Sequence, residues 1–278
     1  MIAYSRFGGG TPVVCLHGWP GSSADYAQAL PLLERDADVI VPDLVGFGAS
    51  FAPDDVSRPP GDFGRDAQAG AVLELMDALD LAPAVLVGYD VGSTTAIALA
   101  RRAPERVRAL VLGNPGHPGS LHHAFDADQR GEFWYQDFHQ LALAEQLIDG
   151  SPTAVRAYLQ HTWGRWGARA VARVDGVTDQ LVASYARPGA FTVSLNWYRS
   201  GSATVAMALA AAGTEPPPPV STPTTVLWGE QDPLFTPRFS ENLGVTFSSY
   251  ELHRLPDVGH FVPLEAAVEL AEAVRARL

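Results

Sequence analysis

The amino-acid sequence predicts an α/β protein: a mostly parallel β-sheet with helices on both faces and an inserted helical cap. Short apolar runs typical of buried strands alternate with helical patterns over residues 1–114 and again over 220–278. Between these segments, residues 115–219 contain helical patterns, many aromatic residues and no strand pattern of the earlier kind. We therefore predict a core domain formed by residues 1–114 and 220–278, and a cap domain formed by residues 115–219.

The predicted elements of the core appear in a regular order along the chain. Strand patterns occur at residues 2–7, 12–16, 38–41, 85–87, 107–112, 224–228 and 250–255, and helix patterns at 23–33, 65–81, 94–102 and 264–278. A proline-rich connector at residues 215–220 leads from the cap back to the sheet. Because the strands before the cap alternate with helices, we expect parallel pairing and functional residues at the carboxyl edge of the sheet.

The segment Gly88-Tyr-Asp-Val-Gly92 joins the strand at 85–87 to the helix at 94–102. It has the form G-x-D-x-G, which is the nucleophile elbow G-x-S-x-G with aspartate in the serine position. The turn is sharp, so the positions beside the central residue need to be almost free of side chain. Asp90 is therefore a candidate nucleophile, although an aspartate after a strand also commonly caps the next helix.

Two further candidate residues follow later strands. Asp232 lies in the loop after the strand at 224–228, and His260 lies between the last strand and the last helix. The order nucleophile, acid, histidine is the one that accompanies such an elbow. Glu230 is the alternative acid, whereas Asn114 is uncharged and cannot take that role. We predict a catalytic triad of Asp90, Asp232 and His260.

Composition excludes several other functions. The formal net charge is −12 and all 19 positive residues are arginines, which disfavours binding to nucleic acid or to an anionic membrane and excludes a Schiff-base lysine. The single Cys15, the lack of an apolar leader at the start and the lack of a membrane-spanning run predict a cytoplasmic protein, and the residue usage suggests a bacterial one. We expect no cofactor and no metal, because the histidines at 117, 122, 123, 139 and 161 match no zinc motif.

These features resemble the α/β-hydrolases, specifically the epoxide hydrolase branch, over essentially the whole chain. His17-Gly-Trp-Pro20 matches the H-G-x-P loop of that family, whose proline is usually cis. The resemblance implies an oxyanion hole formed by the backbone N–H groups of Trp19 and Val91. It also implies that the first strand of the family is missing or shortened here.

Two cap segments, Phe133-Trp-Tyr-Gln136 and Leu195-Asn-Trp-Tyr-Arg199, resemble those that carry two epoxide-polarising tyrosines in the family. The resemblance implies that Tyr135 and Tyr198 donate hydrogen bonds to the epoxide oxygen. The alternative is that both only pack in the cap, as we expect for Tyr158 and Tyr185. We also expect Trp134, Gln136 and Trp197 to line the substrate pocket.

The resemblance therefore implies opening of an epoxide to a vicinal diol through a covalent aspartyl ester. Haloalkane and haloacid dehalogenases are the alternative, since they are similar and use the same triad. Many relatives carry an anion-binding Trp or Arg directly after the nucleophile, or an Arg four residues beyond it, where this chain has Val91 and Thr94. A binding protein without turnover is a third hypothesis. The expected ligand is a small apolar organic molecule, and the oligomeric state stays open, with a homodimer as one alternative.

Overall fold

The centre of the structure is a sheet whose strands are mostly parallel. The computed structural model describes residues 1–168 and 175–278. In these residues the sheet contains seven strands: β1 (Tyr4–Gly8), β2 (Thr11–Leu16), β3 (Ala37–Pro42), β4 (Ala84–Tyr89), β5 (Val107–Gly113), β6 (Thr224–Gly229) and β7 (Tyr250–Leu255). Their order across the sheet is β1-β3-β2-β4-β5-β6-β7, and only the pairing of β1 with β3 is antiparallel among them. The α/β fold class is confirmed.

The helices follow in chain order. In the described residues they are α1 (Leu30–Leu33), α2 (Arg65–Ala78), α3 (Val91–Arg102), α4 (Trp134–Phe138), α5 (Ala142–Ile148), α6 (Pro152–Trp166), α7 (Asp175–Tyr185), α8 (Ala190–Ser194), α9 (Asn196–Arg199), α10 (Thr204–Ala211), α11 (Val262–Glu265) and α12 (Ala267–Arg275). Helices α4 to α10 lie between β5 and β6, and we call this segment the helical insert. None of the helices in the described residues is long and apolar enough to cross a membrane.

Side chains of the central strands point alternately to the two faces of the sheet, and each face is covered by helices. Val14 and Leu86 belong to a core that contains Val72 of α2 and Leu99 of α3. The neighbouring strand residues, such as Val13, pack in a second core with residues of α1 and α12. Burial on both faces explains why β2, β4 and β5 are almost continuously apolar in sequence.

Two predicted helices are each divided into two shorter segments. The predicted helix at 23–33 is a 3₁₀ turn at Ser23–Tyr26 followed by α1, because Pro31 lacks the N–H that a continuous helix requires and instead starts a new one. The predicted helix at 264–278 is divided into α11 and α12 at Ala266, which has φ −138° and ψ 47°. Neither break moves the candidate site, since both lie outside the elbow.

The elbow between β4 and α3 depends on close backbone approach. Asp90 has φ 49° and ψ −121°, a conformation that L-residues rarely adopt. A Cβ atom on Gly92 would lie 2.1 Å from the Leu16 carbonyl oxygen in β2. Glycine at this position therefore lets α3 begin directly against the sheet and fixes the direction of the Asp90 side chain.

Replacing Gly92 with alanine should lower the free energy of unfolding by roughly 3 kcal/mol, because the new methyl group meets backbone that cannot move aside. Gly131→Ala is the matched control, since a Cβ at Gly131 has no atom within 4 Å. Urea unfolding of both variants measures the difference. Equal stability of the two would show that the elbow tolerates a side chain there.

Candidate active site

Asp90 projects from the elbow at the carboxyl edge of the sheet. The backbone N–H of Trp19 donates a hydrogen bond of 2.7 Å to Asp90 Oδ1. The other oxygen, Oδ2, lies 3.4 Å from His260 Nε2, which is an ionic contact without hydrogen-bond geometry. The Asp90 side chain retains 14% exposure, so one carboxylate is held in place while facing the cavity above it.

His260 lies between two carboxylates and is fully buried. Its Nδ1 is 2.8 Å from Asp232 Oδ2, and its backbone N–H donates to the Trp166 carbonyl at 2.9 Å. The structure thus brings together the three predicted triad residues, which come from the loops after β4, β6 and β7. The alternative acid, Glu230, instead contacts Arg254 at 3.3 Å.

Asp232 is fixed by donors on both oxygens. The backbone N–H groups of Leu234 and Phe235 donate to Oδ1 at 2.8 and 3.2 Å, and Asn114 Nδ2 donates to Oδ2 at 2.6 Å. Asn114 is itself held by Gly229 through hydrogen bonds of 2.7 and 3.2 Å. Sequence reasoning excluded Asn114 as the acid and missed this supporting role, although its position at the end of β5 beside β6 was the available signal.

The protonation state of His260 follows from this environment. Burial alone lowers the pKa of its imidazole, but the charges of Asp232 and Asp90 and the hydrogen bond with Asp232 outweigh burial and raise the pKa to about 10. At neutral pH the resting site is therefore an imidazolium between two carboxylates. Any event that neutralises Asp90 removes part of this stabilisation and makes His260 a better base.

Hydrogen bonds of the His17 ring stabilise the loop that carries Trp19. The Leu44 N–H donates to His17 Nε2 at 3.0 Å, so the ring proton is on Nδ1, which donates to the Gly18 carbonyl at 2.8 Å. Burial lowers the pKa of His17, which agrees with a neutral ring. The peptide bond between Trp19 and Pro20 is cis, as the resemblance implied.

The buried carboxyl group of Asp25 contacts Tyr89, the residue before Asp90 in the elbow. The Tyr89 hydroxyl donates a hydrogen bond of 2.6 Å to Asp25 Oδ2. Burial raises the pKa of Asp25 to about 8, so this carboxyl is largely protonated at neutral pH. A neutral Asp25 adds no third negative charge near Asp90 and Asp232.

Tyr135 and Tyr198 line the cavity over Asp90, with ring centroids 5.7 Å apart and ring planes nearly perpendicular. Gln136 Nε2 donates to the Tyr135 hydroxyl at 3.1 Å, which leaves the phenolic proton free to be donated elsewhere. Burial raises the pKa of both tyrosines, and the negative charge of Asp90 adds to the effect. Both hydroxyls are therefore protonated at neutral pH and can donate hydrogen bonds.

The cavity itself is small, about 20 Å³, which is room for about one water molecule. It is lined by Val91, Thr94, Gln136 and Trp197 and by no arginine, lysine or histidine of the described chain. Trp134, which we expected to line the substrate pocket, does not line this cavity. Its side chain packs against Phe138, Tyr158 and His161, and the residue is 43% exposed. Successive helical residues differ by about 100° around the axis, so when Tyr135 points inward Trp134 points away.

His139 and Tyr158 have a closer relation to the site than the sequence suggested. The buried His139 ring lies 4.6 Å from Trp19 and 4.4 Å from Tyr198, centroid to centroid. Its Nε2 is 2.8 Å from the Tyr158 hydroxyl, so Tyr158 is connected to the wall of the cavity through His139. Tyr185 donates to the Gly21 carbonyl at 3.3 Å. No group of side chains in the described ranges could hold a metal ion.

Replacing Asp90 with asparagine should lower the pKa of His260, because one of the two carboxylates that stabilise the imidazolium is lost. Titration of the imidazole by NMR measures the shift directly. The folding linkage has a defined sign: a folded-state pKa above the unfolded 6.5 gives stability that is complete below pH 6.5 and is lost as the pH rises through about 10.

The same substitution should therefore move this alkaline loss of stability to lower pH. Glu230→Gln is the matched control, since it removes a carboxylate from the loop that also carries Asp232 without touching His260. An unchanged His260 titration in Asp90→Asn would contradict the charge arrangement.

Comparison with known proteins agrees with this geometry. The family model described as alpha/beta hydrolase fold matches residues 11–267. Haloalkane dehalogenase 2 of Mycobacterium tuberculosis is 27% identical over 98% of this chain and 90% of that protein. Epoxide hydrolase 3 of Mus musculus is 26% identical over 92% of this chain and 67% of that protein.

A solved structure of an epoxide hydrolase from Bacillus megaterium in complex with an inhibitor is similar in fold, with a TM-score of 0.82. It is 18% identical, and the match covers 99% of this chain and 96% of that one. The residues that the family model matches include the elbow and the segments that carry Asp232 and His260. The chain belongs to the α/β-hydrolase fold family.

Proposed function

We propose that this chain is an epoxide hydrolase that converts an epoxide to a vicinal diol through an ester on Asp90. The observation that carries the proposal is the pair of protonated tyrosine hydroxyls, Tyr135 and Tyr198, on the cavity that Asp90 faces. Ring opening places negative charge on an oxygen that remains attached to the substrate. Two neutral donors fit that oxygen, whereas a departing halide ion needs a site that binds an anion.

In the first step an oxygen of Asp90 attacks an epoxide carbon and the carbon–oxygen bond of the ring breaks. The alkoxide takes a proton from a cap tyrosine as it forms, and the second tyrosine donates a hydrogen bond to the same oxygen. The positive charge of His260 stands beside the attacking carboxyl group of Asp90. The step needs no cofactor.

Esterification then changes the histidine. Asp90 no longer carries a charge, so the pKa of His260 falls, and the proton that His260 loses replaces the one that the tyrosine gave to the alkoxide. Neutral His260, oriented by Asp232 at 2.8 Å, next takes a proton from water as the water attacks the Asp90 carbonyl. The N–H groups of Trp19 and Val91 stabilise the resulting oxyanion. Its collapse breaks the ester carbon–oxygen bond, and the leaving oxygen takes the remaining water proton, which releases the diol and restores the Asp90 carboxylate.

Carbon–halogen hydrolysis is the second candidate because a haloalkane dehalogenase is among the relatives. Two observations argue against carbon–halogen hydrolysis. The Trp19 indole N–H already donates to Ser194 Oγ at 3.2 Å, and the position after the nucleophile is Val91, which brings no side-chain donor. The third hypothesis, a binding protein without turnover, does not explain why a fully hydrogen-bonded Asp232 lies beside His260.

Turnover separates these candidates. Purified protein is incubated with aryl and alkyl epoxides and with chloro- and bromoalkanes of matching length, and diol and halide are quantified. We expect diol from epoxides and no halide release above the Asp90→Asn background. Halide release without diol would assign the dehalogenase reaction, and neither product would leave the binding role.

Replacing Tyr198 with phenylalanine should slow ester formation by about 10²–10³-fold, the usual cost of one preorganised donor to a developing oxyanion. Tyr135→Phe should have a similar effect, and the double variant should lose almost all activity. Pre-steady-state alkylation is the suitable measurement, because steady-state rates also report ester hydrolysis.

Tyr250→Phe is the control, because Tyr250 is 43% exposed on β7 and remote from the cavity lining. Tyr158→Phe is not a neutral control, since its hydroxyl contacts His139 beside Tyr198. Alkylation of Tyr198→Phe at the wild-type rate would remove the main support for epoxide opening.

A further inference from the structure

A groove much larger than the cavity over Asp90 adjoins it. The groove measures about 910 Å³ and shares Thr94, Gly116 and Met207 with the lining of the small cavity. Met207 is flexible and only partly buried. The groove and the small cavity therefore meet at these three residues, on the side of the cavity from which a substrate longer than the cavity has room to extend.

The body of the groove is apolar. One wall is the face of α3 that carries Thr94, Ile97 and Ala98, and the other includes Met207 and Ala210 of α10. These positions recur at the three- and four-residue spacing of a helix face, so the two walls run along their helices. Such a surface fits a hydrocarbon chain.

The groove also carries charged side chains. Arg101 and Arg102 line it at the end of α3 that is remote from Asp90, and Arg65 lines it with Nη1 3.4 Å from Met207 Sδ. The carboxylates of Asp66 and Glu215 belong to the same lining. Arg65 contacts Asp66 at 3.5 Å, whereas no carboxylate in the described part of the chain forms an ion pair with Arg101 or Arg102. The groove thus carries more arginines than carboxylates on a chain whose formal net charge is −12.

Placing these cations together is unfavourable in the free protein. Partial burial lowers the pKa of Arg101, and the charge of Arg65 lowers it further. Arg101 and Arg102 gain from the carboxyl end of α3, but Arg65 is the first residue of α2, where a positive charge opposes the helix dipole. Arg101 donates to the Pro218 carbonyl, which positions the guanidinium without neutralising it.

The distance between the two ends of the groove sets the ligand length. Asp90 is the N-cap of α3, and Arg101 lies eleven positions further along the chain. At a rise of 1.5 Å per residue, their Cα atoms are about 16 Å apart along the helix axis. We propose that the substrate of this site is an amphiphile with its epoxide at Asp90, an apolar chain along α3 and a carboxylate held by Arg101 with Arg65 or Arg102. The inference rests on the proposed function and adds the substrate class.

The test compares undecanoic acid carrying a terminal epoxide with its methyl ester, which lacks the negative charge and carries one additional methyl group. We expect kcat/KM for the acid to exceed that for the ester by about tenfold, the usual scale for one charge-assisted hydrogen bond. In Arg101→Gln the ratio should fall toward one, because the acid loses more of its rate than the ester does. Arg35→Gln changes an exposed arginine that does not line the groove, and it should keep the wild-type ratio.

A wild-type ratio near one would overturn the proposal. So would a ratio that both Arg101→Gln and Arg102→Gln leave unchanged, and use of two variants guards against one that fails to fold. Calorimetry with undecanoate and 1-undecanol provides a readout that needs no turnover. If neither epoxide is opened, the hydrolase proposal is wrong. In that case, undecanoate binding that weakens in Arg101→Gln would still support a carboxylate site in the groove. An absence of undecanoate binding would overturn the carboxylate site.

Discussion

The positive charge of His260 between Asp90 and Asp232 is the interaction on which the rest of the site depends. Buried charges are costly unless each is paired and hydrogen-bonded. Here Asp90 receives the Trp19 N–H, and Asp232 receives two backbone N–H groups and Asn114. The loops after β2 and β6 are therefore the parts of the fold that supply hydrogen-bond donors to the two carboxyl groups beside His260.

This arrangement connects the two halves of the proposed reaction. While Asp90 is charged, His260 is held as a cation and cannot act as a base. Once Asp90 is esterified, the same histidine becomes neutral and is already oriented by Asp232. The order of nucleophilic attack and hydrolysis thus follows from one electrostatic coupling. Burial raises the pKa values of Tyr135 and Tyr198, so both tyrosines of the helical insert begin the proposed reaction protonated.

The sequence predicted the sheet, the order of its elements and the residues that the structure brings together at its carboxyl edge. Those features depend on local periodicity and on motifs at strand ends. Sequence reasoning did not predict the outward direction of Trp134, which depends on helix rotation, or the roles of Asn114 and His139. The arginine-lined groove was also missed, since Arg65 and Arg101 lie on different helices and meet only through tertiary packing.

Mass spectrometry of His260→Gln after reaction with an epoxide is the most direct test of a covalent ester on Asp90. Without its base the variant should accumulate protein plus substrate mass on the Asp90 peptide. In wild type, single turnover in oxygen-18 water should place label in Asp90. An absence of adduct, or label in the diol alone, would mean that water attacks the substrate directly and that Asp90 is not the nucleophile.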